Sequence, residues 1–451
     1  MIPTLVIIGR PNVGKSTLFN RLTRSRDAIV ADMPGLTRDR HYGRGRLGDK
    51  RYLVVDTGGF EPVTEDVIRR SMARQTLQAI DEADGVVLLV DGRQGLTSQD
   101  RIIADQLRKI GRKHWVVVNK AEGMRPEHVA AEFHELALGD PLVISAAHGE
   151  GVSELADLIL AEFPDAPLQR PSEEVEETSK HPRIAVVGRP NAGKSTLVNR
   201  ILGEDRVVVS DVPGTTRDSI YVDFERGGRP YTLIDTAGMR RRGRVDDAVE
   251  KFSVVKTMQA IEDANVVVLV LDGSEKIVDQ DAHIAGYVLD AGRALVVAVN
   301  KWDNLTMQQR EWAKQTLART LNFMDFAEVH HISALAGTGL PQLFVSIERA
   351  YQSAMAKLST PKLTRALMAA IAKQAPPRSG MFRPKMRYAH QGGSNPPRVI
   401  IHGSGLEKVP ETYRRYLEHY LRDAFKLRGA PLKIEFRQGM NPYERRHAKK
   451  R

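Results

Sequence analysis

Apolar residues along this chain fall in short, nearly unbroken runs instead of strict alternation. TLVIIG from Thr4, YLVVDT from Tyr52, GVVLLVD from Gly85, HWVVVNK from His114 and PLVISA from Pro141 follow one another, separated by stretches of helical period. The succession then repeats as RIAVVG, YTLIDT, NVVVLVLD, RALVVAVNK and VHHISA. Runs rich in Val, Ile and Leu predict strands buried on both faces, and the amphipathic stretches between them predict covering helices. The expected fold class is α/β, with two doubly wound, mostly parallel sheets. After residue 350 the pattern changes to a helix, TPKLTRALMAAIAKQ, strands at KMRYAHQ and RVIIHG, a second helix, PETYRRYLEHYLRDAFKL, and a strand, LKIEFRQ. That order, α-β-β-α-β, predicts a small α+β module.

The repetition keeps register. Gly188 follows Gly9 by 179 residues, and Asp235 follows Asp56 by the same 179, so a whole domain is duplicated. Between the copies lies PDAPLQRPSEEVEETSKHP, whose prolines and glutamates cannot build a core. The expected organisation is a first domain at 1–163, an acidic linker at 164–182, a second domain at 183–350, the small module at 351–440 and a basic tail at 441–451.

Composition narrows the function classes. With no cysteine in 451 residues, disulfides and thiolate metal sites are excluded, which fits a reducing, cytoplasmic address. The longest apolar runs, such as VVVLVL, are far below the roughly 20 residues that cross a bilayer. The first run leads directly into a glycine-rich loop, so its cleavage as a leader would destroy that loop. Charge is uneven: residues 361–451 hold 21 Lys/Arg against 6 Asp/Glu, or 21 − 6 = +15, while the whole chain is +11. A basic module on a mildly acidic body implies a polyanionic partner, with RNA favoured over anionic lipid because no lipidation signal or amphipathic anchor accompanies it.

GRPNVGKS, residues 9–16, and GRPNAGKS, residues 188–195, each follow a strand and open a helix. In this loop glycines turn backbone N–H groups toward phosphate oxygens at a helix N-terminus. The candidate phosphate-binding residues are Gly9, Arg10, Pro11, Asn12, Val13, Gly14, Lys15 and Ser16, and in copy two Gly188, Arg189, Pro190, Asn191, Ala192, Gly193, Lys194 and Ser195. Lys15 and Lys194 are expected at the β/γ-phosphates, and Ser16 and Ser195 on Mg²⁺. Asp56, Thr57, Gly58 and Gly59, with Asp235, Thr236, Ala237 and Gly238, form segments whose aspartates lie 47 residues beyond each loop's first glycine. Their aspartates are candidates for Mg²⁺ and the last glycines, Gly59 and Gly238, for sensing the γ-phosphate. Asn300, Lys301 and Asp303 name the base, because a carboxylate can accept both N1–H and N2–H of guanine and adenine lacks that donor pair. Copy one has Asn119, Lys120 and Glu122, whose carboxylate sits one methylene farther out; weaker GTP binding is expected there. Ser145 with Ala146 and Ser333 with Ala334 complete the base pockets. Between loop and aspartate, PGLTRD and PGTTRD supply Thr37 and Thr216 as candidates to close on Mg²⁺ in the GTP state.

Two guanine-nucleotide motif sets in one chain, an acidic linker and a basic C-terminal module resemble the Der (EngA) family of bacterial tandem GTPases, over essentially the whole length. The resemblance implies GTP hydrolysis with Mg²⁺, a KH-like third domain, and a cytoplasmic role in assembly of the large ribosomal subunit through its rRNA; a monomer is expected. Phe60 and Met239 occupy the place where many GTPases carry a water-orienting glutamine, so unaided turnover should be slow. The resemblance supplies another device, K⁺ held beside the phosphates with help from Asn12 and Asn191, with local capping of the loop as the alternative. The module has HGSG at a strand end but no GxxG between helices, so the usual KH grip on RNA is not carried over. Arg387, Arg398, Arg414, Arg415, Arg422, Lys426 and Arg428 are candidate phosphate contacts, with solvated surface as the alternative. Arg240 to Arg244, after the second switch glycine, form a candidate charged contact. Two rivals stay open: a signalling or trafficking GTPase, which leaves the basic module without a task, and an RNA-binding scaffold with inert nucleotide domains.

Overall fold

The computed structural model describes residues 2–24, 41–57, 80, 83–164, 166, 181–203, 207–210, 221–234, 254–378 and 383–438. The chain forms two compact units, Met1–Arg170 with residues 253–259, and the remainder.

In the first unit strands β1 (Thr4–Ile8), β2 (His41–Arg44), β3 (Leu53–Asp56), β4 (Gly85–Asp91), β5 (Lys113–Asn119) and β6 (Leu142–Val143) make one sheet in the order β2-β3-β1-β4-β5-β6. The pairs β1/β3, β1/β4, β4/β5 and β5/β6 are parallel. Their apolar runs are buried on both faces, as at Val6, Ile7, Val54 and Val87. The helices Lys15–Thr23 and Val152–Ala161 bury Leu18, Phe19, Leu155 and Ile159 against one face.

The second unit repeats this plan with β7 (Arg183–Val187), β8 (Val207–Ser210), β9 (Val222–Arg226), β10 (Arg229–Ile234), β11 (Val266–Asp272), β12 (Ala294–Asn300) and β13 (Glu328–His331), ordered β13-β12-β11-β7-β10-β9-β8. Both sheets carry antiparallel edges that the apolar runs did not predict: β2 against β3, and β8 and β9 beyond β10. β2 (HYGR) at the sheet margin and β9 (VDFER) between β10 and β8 read as mixed polar segments, while β8 (VVVS) is a short apolar run at the edge.

The third sheet, β14 (Lys385–Gly393), β15 (Arg398–Ser404) and β16 (Lys433–Gln438), is antiparallel then parallel. Helices Thr360–Lys373 and Glu411–Ala424 cover it, and the expected α-β-β-α-β order holds. Leu363, Leu367 and Ala370 on one helix and Tyr413, Leu417 and Leu421 on the other fall at the three- and four-residue intervals of a buried stripe.

This module is tied to the second sheet domain by backbone: Gly429 donates to the Phe326 carbonyl (2.8 Å) and accepts from Leu295 N–H (2.7 Å), while Asn395 donates to the Ala354 carbonyl (2.8 Å). Arg422 pairs with Asp325 at 2.6 Å and lies over Phe326, so this candidate RNA contact is engaged within the protein. Arg398 is paired with Glu435 and Arg414 with Glu411, whereas Arg387, Arg415, Lys426 and Arg428 are exposed. No helix among the described residues is long and apolar enough to cross a membrane.

Candidate nucleotide sites

Each glycine-rich loop leaves the C-terminal end of the central strand and enters a helix at Lys15 or Lys194. Gly14 and Gly193 must be glycine: their φ angles are 99° and 92°, and a Cβ would stand 2.3 Å and 2.1 Å from the side-chain nitrogens of Asn119 and Asn300. Asn12 and Asn191 also adopt left-handed φ, 64° and 62°, a conformation asparagine tolerates better than most residues. Their side chains are exposed at the loop tip. Arg10 and Arg189 point away from the loop to buried carboxylates, Arg10 to Asp100 at 2.9 Å and Arg189 to Asp281 at 3.0 Å, so both hold the loop to the neighbouring helix. Pro11 and Pro190 are exposed, and Val13 and Ala192 are buried beneath the loop.

The two loop lysines are buried. Lys15 donates to the carbonyls of Gly9 (2.9 Å) and Arg10 (2.5 Å), and Lys194 to that of Arg189 (2.7 Å). Burial lowers the Lys15 ammonium to about 8; Asp56 opposes that shift and Arg10 adds to it. Ser16 donates its hydroxyl to Asp56 at 2.7 Å, and Asp56 is fully buried at the end of β3. A hydroxyl and a carboxylate meeting beside the loop are hard oxygen ligands that fit Mg²⁺. Thr57 is held by its hydroxyl to the Ile7 carbonyl (2.8 Å). Ser195 lies at the corresponding place in copy two. Thr37, Gly58, Gly59, Phe60, Thr216, Asp235, Thr236, Ala237, Gly238, Met239 and Arg240 to Arg244 lie outside the described residues.

A single asparagine ties phosphate loop to base pocket in each copy. Asn119 donates to the Val13 carbonyl (2.8 Å) and accepts from Ala146 N–H (2.9 Å); Asn300 does the same with Ala192 (2.9 Å) and Ala334 (2.8 Å). All four bonds are buried. The following lysines, Lys120 and Lys301, have φ of 65° and 60°, and each reaches an aspartate, Asp91 at 2.7 Å and Asp272 at 2.5 Å. Burial works to raise both aspartates, but the lysines and neighbouring N–H groups prevail and hold them below the ordinary carboxylate range. Arg21 and Arg200 cap the carbonyls of Ala146 and Ala334.

The pockets differ where the base is read. Glu122 receives Arg93 on one oxygen (2.5 Å) and the Ser145 hydroxyl on the other (2.9 Å), with His148 3.0 Å behind Ser145. Its own backbone N–H, then Ser145, hold Glu122 below the usual range against some burial, with Arg93 and His148 adding to the effect. Asp303 in copy two is exposed, and Ser333 there accepts from the Ala336 N–H at 3.1 Å.

Among the sequence-predicted residues that are described, Gly9 to Ser16, Asp56, Asn119, Lys120, Glu122, Ser145 and Ala146 lie together, as do Gly188 to Ser195, Asn300, Lys301, Ser333 and Ala334 in copy two. Sequence reasoning missed Asp91, Asp272, Arg93 and the Arg21/Arg200 braces. The aspartates were within reach: Asp272 follows Asp91 by 181 residues, as Asn300 follows Asn119.

A family model described as 50S ribosome-binding GTPase matches residues 4–120 and again 183–301. A second, described as the C-terminal KH-domain-like region of EngA bacterial GTPase enzymes, matches residues 357–437. The protein called GTPase Der in Nitrosospira multiformis is 66% identical over 444 residues, covering 98% of this chain and 94% of its own length. Its namesake in Chromobacterium violaceum is 64% identical over 444 residues, covering 98% and 93%.

Proposed function

The chain belongs to the Der (EngA) family of GTPases, and from that premise we propose that it is a two-site GTP switch acting in assembly of the large ribosomal subunit in the cytoplasm. The observation that carries the nucleotide part is the doubled asparagine bridge, with phosphate loop and base pocket joined through Asn119 and again through Asn300. A site built this way in both copies disfavours the inert-scaffold rival. The domain limits of the sequence reading, 1–163, 183–350 and 351–440, are retained, with a monomer as the working unit.

In this reading Lys15 and Lys194 leave their loop carbonyls for the β/γ-phosphates, and loop N–H groups from Asn12 to Ser16 and Asn191 to Ser195 receive phosphate oxygens. Mg²⁺ neutralises phosphate charge, with Ser16, Thr37 and Asp56, and Ser195, Thr216 and Asp235, as the residues that hold it. Gly59 and Gly238 sense the γ-phosphate. Glu122 and Asp303 accept the guanine N1–H and N2–H, while the Ala146 and Ala334 N–H groups, given to the asparagine oxygens here, turn to O6 when the base binds. Without a glutamine at Phe60 or Met239, turnover is slow. Asn12 and Asn191 are the residues that would help hold K⁺ beside the phosphates.

The +15 segment supplies the attraction to rRNA, with Arg387, Arg415, Lys426 and Arg428 as exposed cations. The test is phosphate release from GTP by the full chain, alone and with large or small ribosomal subunits. Stimulation by the large subunit is expected; equal rates with both subunits and with none would remove the ribosomal part of the proposal, and no GTP hydrolysis under any condition would remove the switch.

A further inference from the structure

The two base pockets differ at three linked positions. Copy one has Glu122, Arg93 and His148 where copy two has Asp303, Ser274 and Ala336, the correspondence following from Asp91/Asp272, Asn119/Asn300 and Ser145/Ser333. A longer acid therefore comes with a cation and a ring that the shorter acid lacks, and the structure places all three in one hydrogen-bonded chain. Ser145 has one hydroxyl proton and gives it to Glu122, so His148 Nδ1, at 3.0 Å, must donate to Ser145. Arg93 grips the other carboxylate oxygen at 2.5 Å. One oxygen of Glu122 thus takes Arg93 and the other Ser145, and the residue's own backbone N–H adds to these two.

We infer that Arg93 is the specificity-determining positioning residue of copy one: by holding Glu122 it gives the longer side chain the fixed carboxylate that guanine recognition requires. A glutamate has one more rotatable bond than aspartate, and a free one would lose more rotamer freedom on binding. Two donors on the two oxygens remove that freedom in advance, which is preorganisation in the ordinary sense. Arg93 acts through Glu122 and not on the base, and its exposed guanidinium leaves phosphate binding to Lys15. The weaker GTP binding expected of copy one from side-chain length is offset in this way.

The inference rests on the guanine reading of copy one, and the test separates the two. The full chain carries Gly193→Val, whose Cβ would collide with Asn300, to silence copy two. GDP and IDP affinities are then compared, since inosine lacks the 2-amino group that a carboxylate reads. The parent should prefer GDP; equal affinities there would remove the guanine reading itself. Arg93→Ser should lower GDP affinity on the order of tenfold and shrink the GDP-over-IDP ratio, and adding Glu122→Asp should restore both, since it recreates the pair found in copy two. In the reverse graft, made in a chain where Gly14→Val silences copy one and Gly193 is kept, Asp303→Glu with Ser274→Arg should keep more GDP binding by copy two than Asp303→Glu alone. A parent preference for GDP that Arg93→Ser leaves unchanged, an equal fall for GDP and IDP, or a graft no better than the single change would each overturn the inference.

Discussion

Binding of a nucleotide to copy one should draw a proton from solution, by an amount that the burial of Lys15 fixes. With the ammonium at about 8 before binding, about half of the lysines are neutral at pH 8 and about one in ten at pH 7. A phosphate anion beside Lys15 restores the charged form, since an opposite charge within a few ångströms favours ionisation. The expected uptake is therefore about 0.5 proton per copy-one site at pH 8 and about 0.1 at pH 7. The phosphate itself, with a second ionisation near 6, is nearly complete at pH 8 and adds little. Stability follows the same sign: the folded lysine binds fewer protons than the unfolded one between about 8 and its ordinary 10.5, so its contribution rises with pH across that window and its cost is fully present below it. The assay is calorimetric titration of GDP at pH 8 in buffers of different ionisation enthalpy, using the Gly193→Val chain and, as control, the same chain with Lys15→Arg. Arginine stays charged, so the control should show no uptake. Uptake indistinguishable from zero in the parent, or the same uptake in the arginine control, would refute the reasoning.

Asn300→Ala should leave the Ala192 carbonyl and Ala334 N–H buried without their partner, costing about 2 to 6 kcal/mol in local stability and nucleotide affinity; thermal unfolding with and without GDP checks it. K⁺ should accelerate hydrolysis more than Na⁺, and Asn191→Ala should remove most of the difference in copy two; equal rates in the two salts for the intact chain would contradict this. Converting Arg387, Arg415 and Lys426 together to Ala should lower the salt slope of large-subunit binding by about 2 to 3, measured by sedimentation across a salt series. That triple change is cleaner than removing residues 361–451, because Gly429 and Asn395 supply backbone bonds to the second sheet domain.

What was legible in the sequence was whatever two constraints wrote together. Central strands such as VVVLVLD lie between covered neighbours and must be apolar throughout, so their positions and parallel pairing followed from composition alone. The antiparallel strands β2 (HYGR) and β9 (VDFER) mix polar with apolar residues and left no comparable run. In the sites, Gly14 and Lys15 are forced by backbone shape and phosphate charge, and doubling made them unmistakable. Arg93 was invisible for a different reason: its task exists only because Glu122 is one methylene longer than Asp303, and that partnership needs the distance between them. The helix spacing in the C-terminal module was readable, but the use of Arg422 against Asp325 was not, since a charged surface residue reads alike whether it meets solvent, RNA or a neighbouring domain.

The central claim is that nucleotide state governs contact with the large ribosomal subunit. The most direct measurement is sedimentation of the full chain with purified large subunits in GDP, in a non-hydrolysable GTP analogue and without nucleotide, at one salt concentration. An equilibrium shifts only if the subunit favours one state, so binding strongest with the analogue and markedly weaker in the other two conditions is the predicted result. Equal binding in all three would contradict the account, even if the basic module still held the particle.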